Sequence, residues 1–133
     1  MLNEMEIKEL AAVFLRRAED LNDEESYDSI WDLDELISTN PALGWRVVEE
    51  LFAQASTRRA IHMVAAGPLE DLIRKHGNSL EFELTELYAK SKRFQYALTS
   101  IYLPPGTQFE WLRRLVDKAC LISFTATCLG ISE

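Results

Sequence analysis

The chain has 133 residues, of which 47% are hydrophobic and 27% are charged, and its formal net charge is −8 at pH 7. This length fits one domain, because two separate cores would each be too small to be stable. The two cysteines, Cys120 and Cys128, are too few for a disulfide framework or a four-cysteine zinc site. The acidic balance argues against a nucleic-acid-binding protein, which would need clustered lysine and arginine.

The negative charge is concentrated at the start of the chain. Residues 1–35 hold 12 acidic and three basic side chains, a net charge of −9, whereas the other 98 residues carry a net charge of +1. A start this acidic is unlike a secretory signal, and the longest near-apolar run, residues 119–131, is too short to cross a bilayer. We therefore expect a cytoplasmic protein that makes no membrane contact. The charge asymmetry predicts a long-range field that attracts basic partners.

Apolar residues recur every three or four positions along almost the whole chain, which predicts an all-α fold. The predicted helices cover residues 4–21, 25–38, 41–55, 57–66, 68–76, 79–91, 92–102 and 107–119. Asn40-Pro41, Ser56-Thr57 and Asn78-Ser79 are predicted to begin the helices that follow them.

The predicted loops are short, and short loops make neighbouring helices antiparallel. We expect one helical domain over residues 1–133, built from about eight short antiparallel helices in a compact or short solenoid-like bundle. The first helix, 4–21, is acidic, and an apolar tail covers residues 120–133. Because no strand is predicted elsewhere, we expect this tail to continue the last helix or to pack on the body of the domain.

The segment 67–77 has the clearest local signals. Gly67 is predicted to cap a helix that starts at Pro68, and Gly77 is predicted to end it in the left-handed conformation. The helix dipole favours the acids of the first turn and the bases of the last turn, which are Glu70 and Asp71, and Arg74, Lys75 and His76. Valine at either glycine is predicted to destabilise the fold by roughly 1–2 kcal/mol.

No group of residues predicts a catalytic or metal site. Neither His62 nor His76 has a second metal ligand at helical spacing. We expect His62 to be packed or hydrogen-bonded and His76 to act as a cation at a helix C-terminus. Cys120 and Cys128 have no basic neighbour that would lower a thiol pKa, so we predict two buried or half-buried thiols. We expect no catalytic residue, no metal and no cofactor.

The second predicted helix has an acidic side. At 100° per residue, five carboxylates share a sector of about 100°, opposite an apolar arc that includes Leu33 and Ile37. The five are Glu24, Glu25, Asp28, Asp32 and Glu35. This side has two interpretations: a solvated surface that keeps the protein soluble, or a docking site for a basic partner.

Asp34 falls inside the apolar arc of the same helix, and a buried carboxylate needs a partner. We predict a structural ion pair, with Arg46, Arg58 and Arg59 as the candidates. The three tryptophans, Trp31, Trp45 and Trp111, each lie near an apolar stripe and are predicted to belong to the core.

The stretch VAAGPLEDLIRKHG, from Val64 to Gly77, resembles the signature of an uncharacterised family of small bacterial helical proteins, a domain of unknown function. Flanking residues are similar to the rest of that pattern: Trp31, Leu36-Ile37, Asn40-Pro41 and Trp45 before it, and Arg93-Phe94 and Ala97-Leu98 after it. The resemblance covers about residues 30–115. It implies no established activity, and it marks Glu70, Asp71 and His76 as a shared family site.

Three functions are compatible with these features. The preferred one is a non-catalytic protein that binds a basic protein partner, for example an immunity protein that neutralises a nuclease-like toxin through charge complementarity. The second is a general adaptor module on a helical scaffold. The third is an enzyme that uses carboxylates such as Glu70 and Asp71. The oligomeric state is left open.

Overall fold

The structure, a computed structural model, describes residues 2–106 and 108–132. These residues form nine α-helices and no β-strand, which confirms the all-α prediction; the number is close to the eight predicted. The helices are α1 Glu4–Leu15, α2 Glu24–Thr39, α3 Pro41–Gln54, α4 Arg58–Val64, α5 Glu70–His76, α6 Glu81–Lys90, α7 Lys92–Leu98, α8 Glu110–Ala119 and α9 Ala126–Leu129.

The core forms where two groups of helices meet. Helices α1, α2 and α3 pack on one another, α6, α7 and α8 form a second group, and α4 and α5 connect the two. At the centre, the Phe94 ring meets Trp45 and Phe52 edge to face, with ring centroids 6.2 and 5.6 Å apart. Aliphatic side chains such as Leu51 and Leu72 belong to the same hydrophobic cluster and are not exposed to solvent. Among the described residues, no helix is both long enough and apolar enough to cross a membrane.

Several predicted caps are confirmed. The Asn40 side chain accepts the N–H of Leu43, and Pro41 occupies the first position of α3. Thr57 caps α4 in the same way by accepting the N–H of Ala60. These short polar side chains satisfy N–H groups that have no partner inside the helix, so the sequence signal and the helix start coincide.

The first helix is shorter than the predicted 4–21. After α1 the chain makes one 3-10 turn, Arg16–Ala18, and residues 19–23 are not helical. The Asp20 side chain accepts the N–H of Asn22, and the Asp23 side chain caps α2 by accepting the N–H of Ser26. Aspartates that bond to the nearby backbone in this way compete with continuation of the helix.

Gly67-Pro68 does not interrupt the chain's helical path, so the predicted cap at Gly67 is wrong. Helix α4 passes through a π-helical turn, Ala65–Leu69, and continues directly as α5. Proline cannot donate the α-helical hydrogen bond, and a π turn accommodates one extra residue at such a point. Burial of Pro68 and Leu69 in the core keeps the segment helical despite its breaker signal.

Gly77 is not left-handed: its φ and ψ are −51° and −43°, which any residue adopts. A 3-10 turn, Gly77–Leu80, follows, and α6 begins at Glu81 instead of residue 79. The Ser79 hydroxyl donates to the carbonyl of His76, so this serine closes the preceding turn and does not cap α6.

The later helices are also shorter than predicted. Helix α7 ends at Leu98 instead of residue 102, and α8 begins at Glu110 instead of Thr107, which lies outside the described residues. The break predicted at Pro104-Pro105-Gly106 separates them, and Gly106 has a φ of +93° that favours glycine.

The tail leaves the axis of α8 and packs on the body, which was one of the two predicted arrangements. Thr125 caps the short helix α9, whose Leu129 is buried, and the N–H of Ser132 donates to the carbonyl of Ser56. Both cysteines, Cys120 and Cys128, are exposed, so the prediction of buried thiols is wrong. Leu129 takes the buried position of α9, which leaves the neighbouring Cys128 on the solvent side.

Candidate functional site

The acidic side of α2 faces solvent. All five carboxylates singled out by the helical wheel are exposed: Glu24, Glu25, Asp28, Asp32 and Glu35. On the opposite side, Leu33 and Ile37 are buried in the core. An amphipathic helix of this kind places its charges outward because burial of the apolar side fixes its rotation.

An open groove of about 480 Å³ runs between α1 and α2. Three of the five carboxylates of α2 line it, and α1 contributes two more; they are Glu25, Asp28, Asp32, Glu6 and Glu9. The remaining lining is mainly apolar and comes from Leu2, Leu10, Val13 and Leu36. We call this feature the acidic groove. Glu24 and Glu35 lie outside it, on the exposed side of α2.

The carboxylates of the acidic groove differ in how far they are already neutralised. Glu25 pairs with Arg16 at 2.9 Å, and Glu6 accepts the backbone N–H of Asn3. Glu9, Asp28 and Asp32 have no ion pair or hydrogen-bonded side-chain partner within the part of the chain that the structure describes. Three charges are therefore available to a ligand of the opposite sign.

The one basic residue of α3, Arg46, pairs with carboxylates that do not line the acidic groove. Arg46 donates to both carboxylate oxygens of Glu4, at 2.7 and 2.8 Å, and so joins α1 to α3. This hydrogen-bonded pair lowers the pKa of Glu4 and raises that of Arg46. Charge-assisted bidentate contacts of this kind fix the orientation of the guanidinium group.

Sequence reasoning missed the contribution of α1 to this groove. Glu6 and Glu9 are three residues apart and therefore lie on one side of α1, which is a signal visible in the sequence. Which side of α1 faces α2 depends on how the two helices cross, and that is decided by tertiary packing.

The prediction that all three tryptophans belong to the core is wrong for Trp31, whose residue surface is 61% exposed. Trp45 is buried as predicted, and Trp111 is half-buried and stacks on Phe109 with ring centroids 5.9 Å apart. Trp31 meets the ring of Tyr27 edge to face at 6.3 Å on the surface of α2. Exposed aromatic rings are frequent contact residues in protein interfaces.

Asp34 does not pair with any of the predicted arginines. Its carboxylate lies 3.5 Å from the ammonium group of Lys75, and its side chain is about half exposed. Helix α5 packs beside α2 and supplies this lysine. A helical wheel identifies the apolar arc of a helix, but it does not identify which other helix packs against that arc.

The predicted shared family site is not gathered in one cleft. A carboxylate oxygen of Glu70 accepts the N–H of Tyr102 at 2.7 Å, whereas Asp71 pairs with Arg74 on its own helix. The Nε2 atom of His76 donates to the carbonyl of Ile37 at 2.8 Å and ties the end of α5 to α2. Each of the three side chains therefore makes a separate structural contact. His62, also predicted to be hydrogen-bonded, contacts the Tyr96 hydroxyl through Nε2 at 2.7 Å.

Glu70→Ala is expected to lower the free energy of unfolding by about 1 kcal/mol, because the Tyr102 N–H loses its acceptor. Glu70→Gln keeps an oxygen acceptor, so it is expected to lower the free energy of unfolding by only about half as much as Glu70→Ala. Urea unfolding followed by circular dichroism measures both variants. Equal stability of all three proteins would show that this contact is not structural.

Within residues 2–106 and 108–132, no group of three or more His, Cys, Asp or Glu side chains is placed to hold a metal ion.

A model of a family of unknown function, DUF6869, matches residues 17–118, which is more than three quarters of the chain. The chain belongs to this family. The DUF6869 match extends beyond the predicted range of 30–115 at both ends, and it includes all of α2 to α7 and all but the last residue of α8. No curated protein and no solved structure matches the chain.

Proposed function

We propose that this protein is a non-catalytic binding protein that takes a basic, amphipathic helical segment of a protein partner in the acidic groove. One observation carries the proposal: carboxylates from two helices surround an apolar floor, and three of them have no partner within the described residues. A basic amphipathic helix has the matching chemistry, with apolar residues for the floor and lysine or arginine for the rim.

The placement of the acids in the groove favours a peptide segment over a small substrate. The groove is open to solvent, and its acids come from positions spread over α1 and α2. Like charges held this close repel one another, as do the i,i+4 residues Asp28 and Asp32, by a few tenths of a kcal/mol. A cationic partner would remove this repulsion on binding.

A more specific form of the proposal is an immunity protein of the bacterial cytoplasm that neutralises a basic, nuclease-like toxin. Its support is the concentration of negative charge in residues 1–35, because charge complementarity accelerates association between such partners. A toxin gene directly upstream would favour this form over a general adaptor module.

Reversing the charge of three groove residues is expected to slow association with the partner about tenfold at low salt. The variant is Glu9→Lys, Asp28→Lys and Asp32→Lys, and the partner is the protein captured from a lysate of the native host. Stopped-flow kinetics would measure the on-rate at several salt concentrations. The native on-rate should fall as salt is raised, since the Debye length is about 10 Å at 0.1 M, and the variant should lose most of this dependence.

A matched control makes the same change in net charge elsewhere. Glu81, Glu86 and Asp117 are exposed on α6 and α8, and reversing them should leave the on-rate close to the native value. Equal slowing by both triple variants would mean that only the total charge matters. That result, or an unchanged on-rate in the groove variant, would show that the acidic groove is a solvated surface and not the docking site.

A further inference from the structure

A second concavity lies on the other side of α2 and shares no lining residue with the acidic groove. It has a volume of about 360 Å³ and is bounded by α2, the Arg16–Ala18 turn and the continuous helical segment of residues 58–76. Most of its lining is apolar and includes Trp31 and Met63. We call it the α2–α5 pocket. Concave apolar sites of this size with a few polar groups are typical of small-molecule binding.

The π-helical turn forms part of the wall of the α2–α5 pocket. Gly67 and Pro68 both line it, and a Cβ atom built on Gly67 would meet no atom within 4 Å. The backbone therefore borders open space here. π-helical turns interrupt the regular hydrogen-bond ladder and occur frequently at functional sites.

The polar groups of the pocket are Arg17, Asp34 and Asp71. The Asp34 and Asp71 carboxylates each have one oxygen near a cation outside the pocket, at 3.5 Å from Lys75 Nζ and 2.7 Å from Arg74 Nη2. The second oxygen of each carboxylate has no hydrogen-bond partner among the described residues.

The arginine of the pocket is already engaged. Arg17 donates from Nη1 to the carbonyl of Leu21 at 3.1 Å, and its guanidinium lies over the Tyr27 ring, 5.3 Å from the centroid. Each carboxylate therefore keeps one oxygen that can accept a hydrogen bond, whereas the guanidinium of Arg17 is directed toward Leu21 and Tyr27, neither of which lines the pocket. The groups available to an ammonium ion in this pocket are the two carboxylates and the exposed indole of Trp31. The face of an indole ring also attracts cations.

We propose that the α2–α5 pocket binds a small organic cation, a primary ammonium group on an aromatic or aliphatic stem. The stem packs against Trp31, Met63 and the π-helical turn, and the ammonium group faces Asp34 and Asp71. A water molecule occupies about 30 Å³ in the liquid, so the pocket has room for roughly a dozen non-hydrogen atoms. The site does not depend on the proposed partner of the acidic groove.

Three probes that share a phenyl ring and a short alkyl stem test this proposal: 2-phenylethylammonium, 2-phenylethanol and 3-phenylpropionate. Each is titrated into the ¹⁵N-labelled full chain while NMR follows the indole N–H of Trp31 and the amide of Gly67. The ammonium probe is expected to give saturable shifts at millimolar concentration. We expect about threefold weaker binding of the alcohol and no saturation by the carboxylate.

Variants then identify the groups responsible. Asp34→Asn with Asp71→Asn should abolish the preference for the ammonium probe over the alcohol, and the exposed control Asp117→Asn should keep it. The proposal is overturned if the three probes bind equally, if the carboxylate binds best, if none saturates, or if the double variant keeps its preference. Because Glu9, Asp28 and Asp32 do not line this pocket, their reversal should leave ammonium binding unchanged whether or not the acidic groove has a partner.

Discussion

Gly77→Val is expected to lower the free energy of unfolding by about 3 kcal/mol. A Cβ atom at this position would lie 2.6 Å from Cε2 of Phe109 and 3.2 Å from Cγ2 of Ile73. Phe109 cannot move away freely, because its ring stacks on Trp111 and packs against the core. The branched side chain of valine adds to this overlap. The requirement for glycine is therefore a close approach between α5 and the start of α8, not a special backbone conformation.

Gly67→Val is the matched control for this prediction. The added Cβ atom meets nothing within 4 Å, and the φ of Gly67 is not positive, so stability should change by less than about 0.5 kcal/mol. This expectation replaces the equal penalties predicted from the sequence. Urea unfolding of both variants distinguishes the expectation from the structure from the expectation from the sequence. Similar losses at both positions would contradict the packing geometry described for Phe109.

Arg93→Met is expected to lower the free energy of unfolding by about 3 kcal/mol, because one guanidinium group joins two distant segments of the chain. It donates to the carbonyls of Phe52 and Ala53 at the end of α3, at 3.0 and 2.7 Å. It also donates to those of Leu129 and Gly130 at the end of α9, both at 2.9 Å. The last carbonyls of a helix have no partner within the helix, so Arg93 satisfies the C-termini of both.

The loss should be accompanied by release of the tail. Amide hydrogen exchange of Ser132, whose N–H donates to the carbonyl of Ser56, should become faster in Arg93→Met. Arg93→Lys is expected to recover less than half of the loss, because an ammonium group cannot reproduce the planar fork of donors. The control Arg113→Met removes an exposed arginine whose side chain makes, among the described residues, only a 3.4 Å contact with Gln108, and it should be nearly neutral. Unchanged stability and unchanged exchange in Arg93→Met would show that the tail is held by its apolar contacts alone.

The all-α class and several helix starts followed from the sequence because their causes are local. Apolar residues at helical spacing need only one buried side, and caps such as Asn40 and Thr57 bond to backbone groups three residues away. The exposed acidic side of α2 followed for the same reason. Its charges lie opposite Leu33 and Ile37, whose burial any compact arrangement would require.

Local signals failed where they competed with burial. Gly67-Pro68 is a strong breaker signal, yet the chain stays helical through a π turn because Pro68 and Leu69 are buried on the core side. Trp31 lies beside an apolar stripe, yet no helix covers it, and its ring stays largely exposed. Helical spacing identifies which residues share a side of a helix, but the burial of that side depends on whether another helix packs against it.

The candidate sites show the same division. Sequence alone established the helical class, several helix starts, the acidic residues of α2 and the uneven charge, all of which depend on neighbours along the chain. Tertiary structure decided that Glu6 and Glu9 of α1 meet those acids across a groove, and that Asp34 pairs with Lys75 beside an open pocket. These contacts join residues far apart in sequence. They depend on the angles at which helices cross, and those angles are set by the shapes of many packed side chains together.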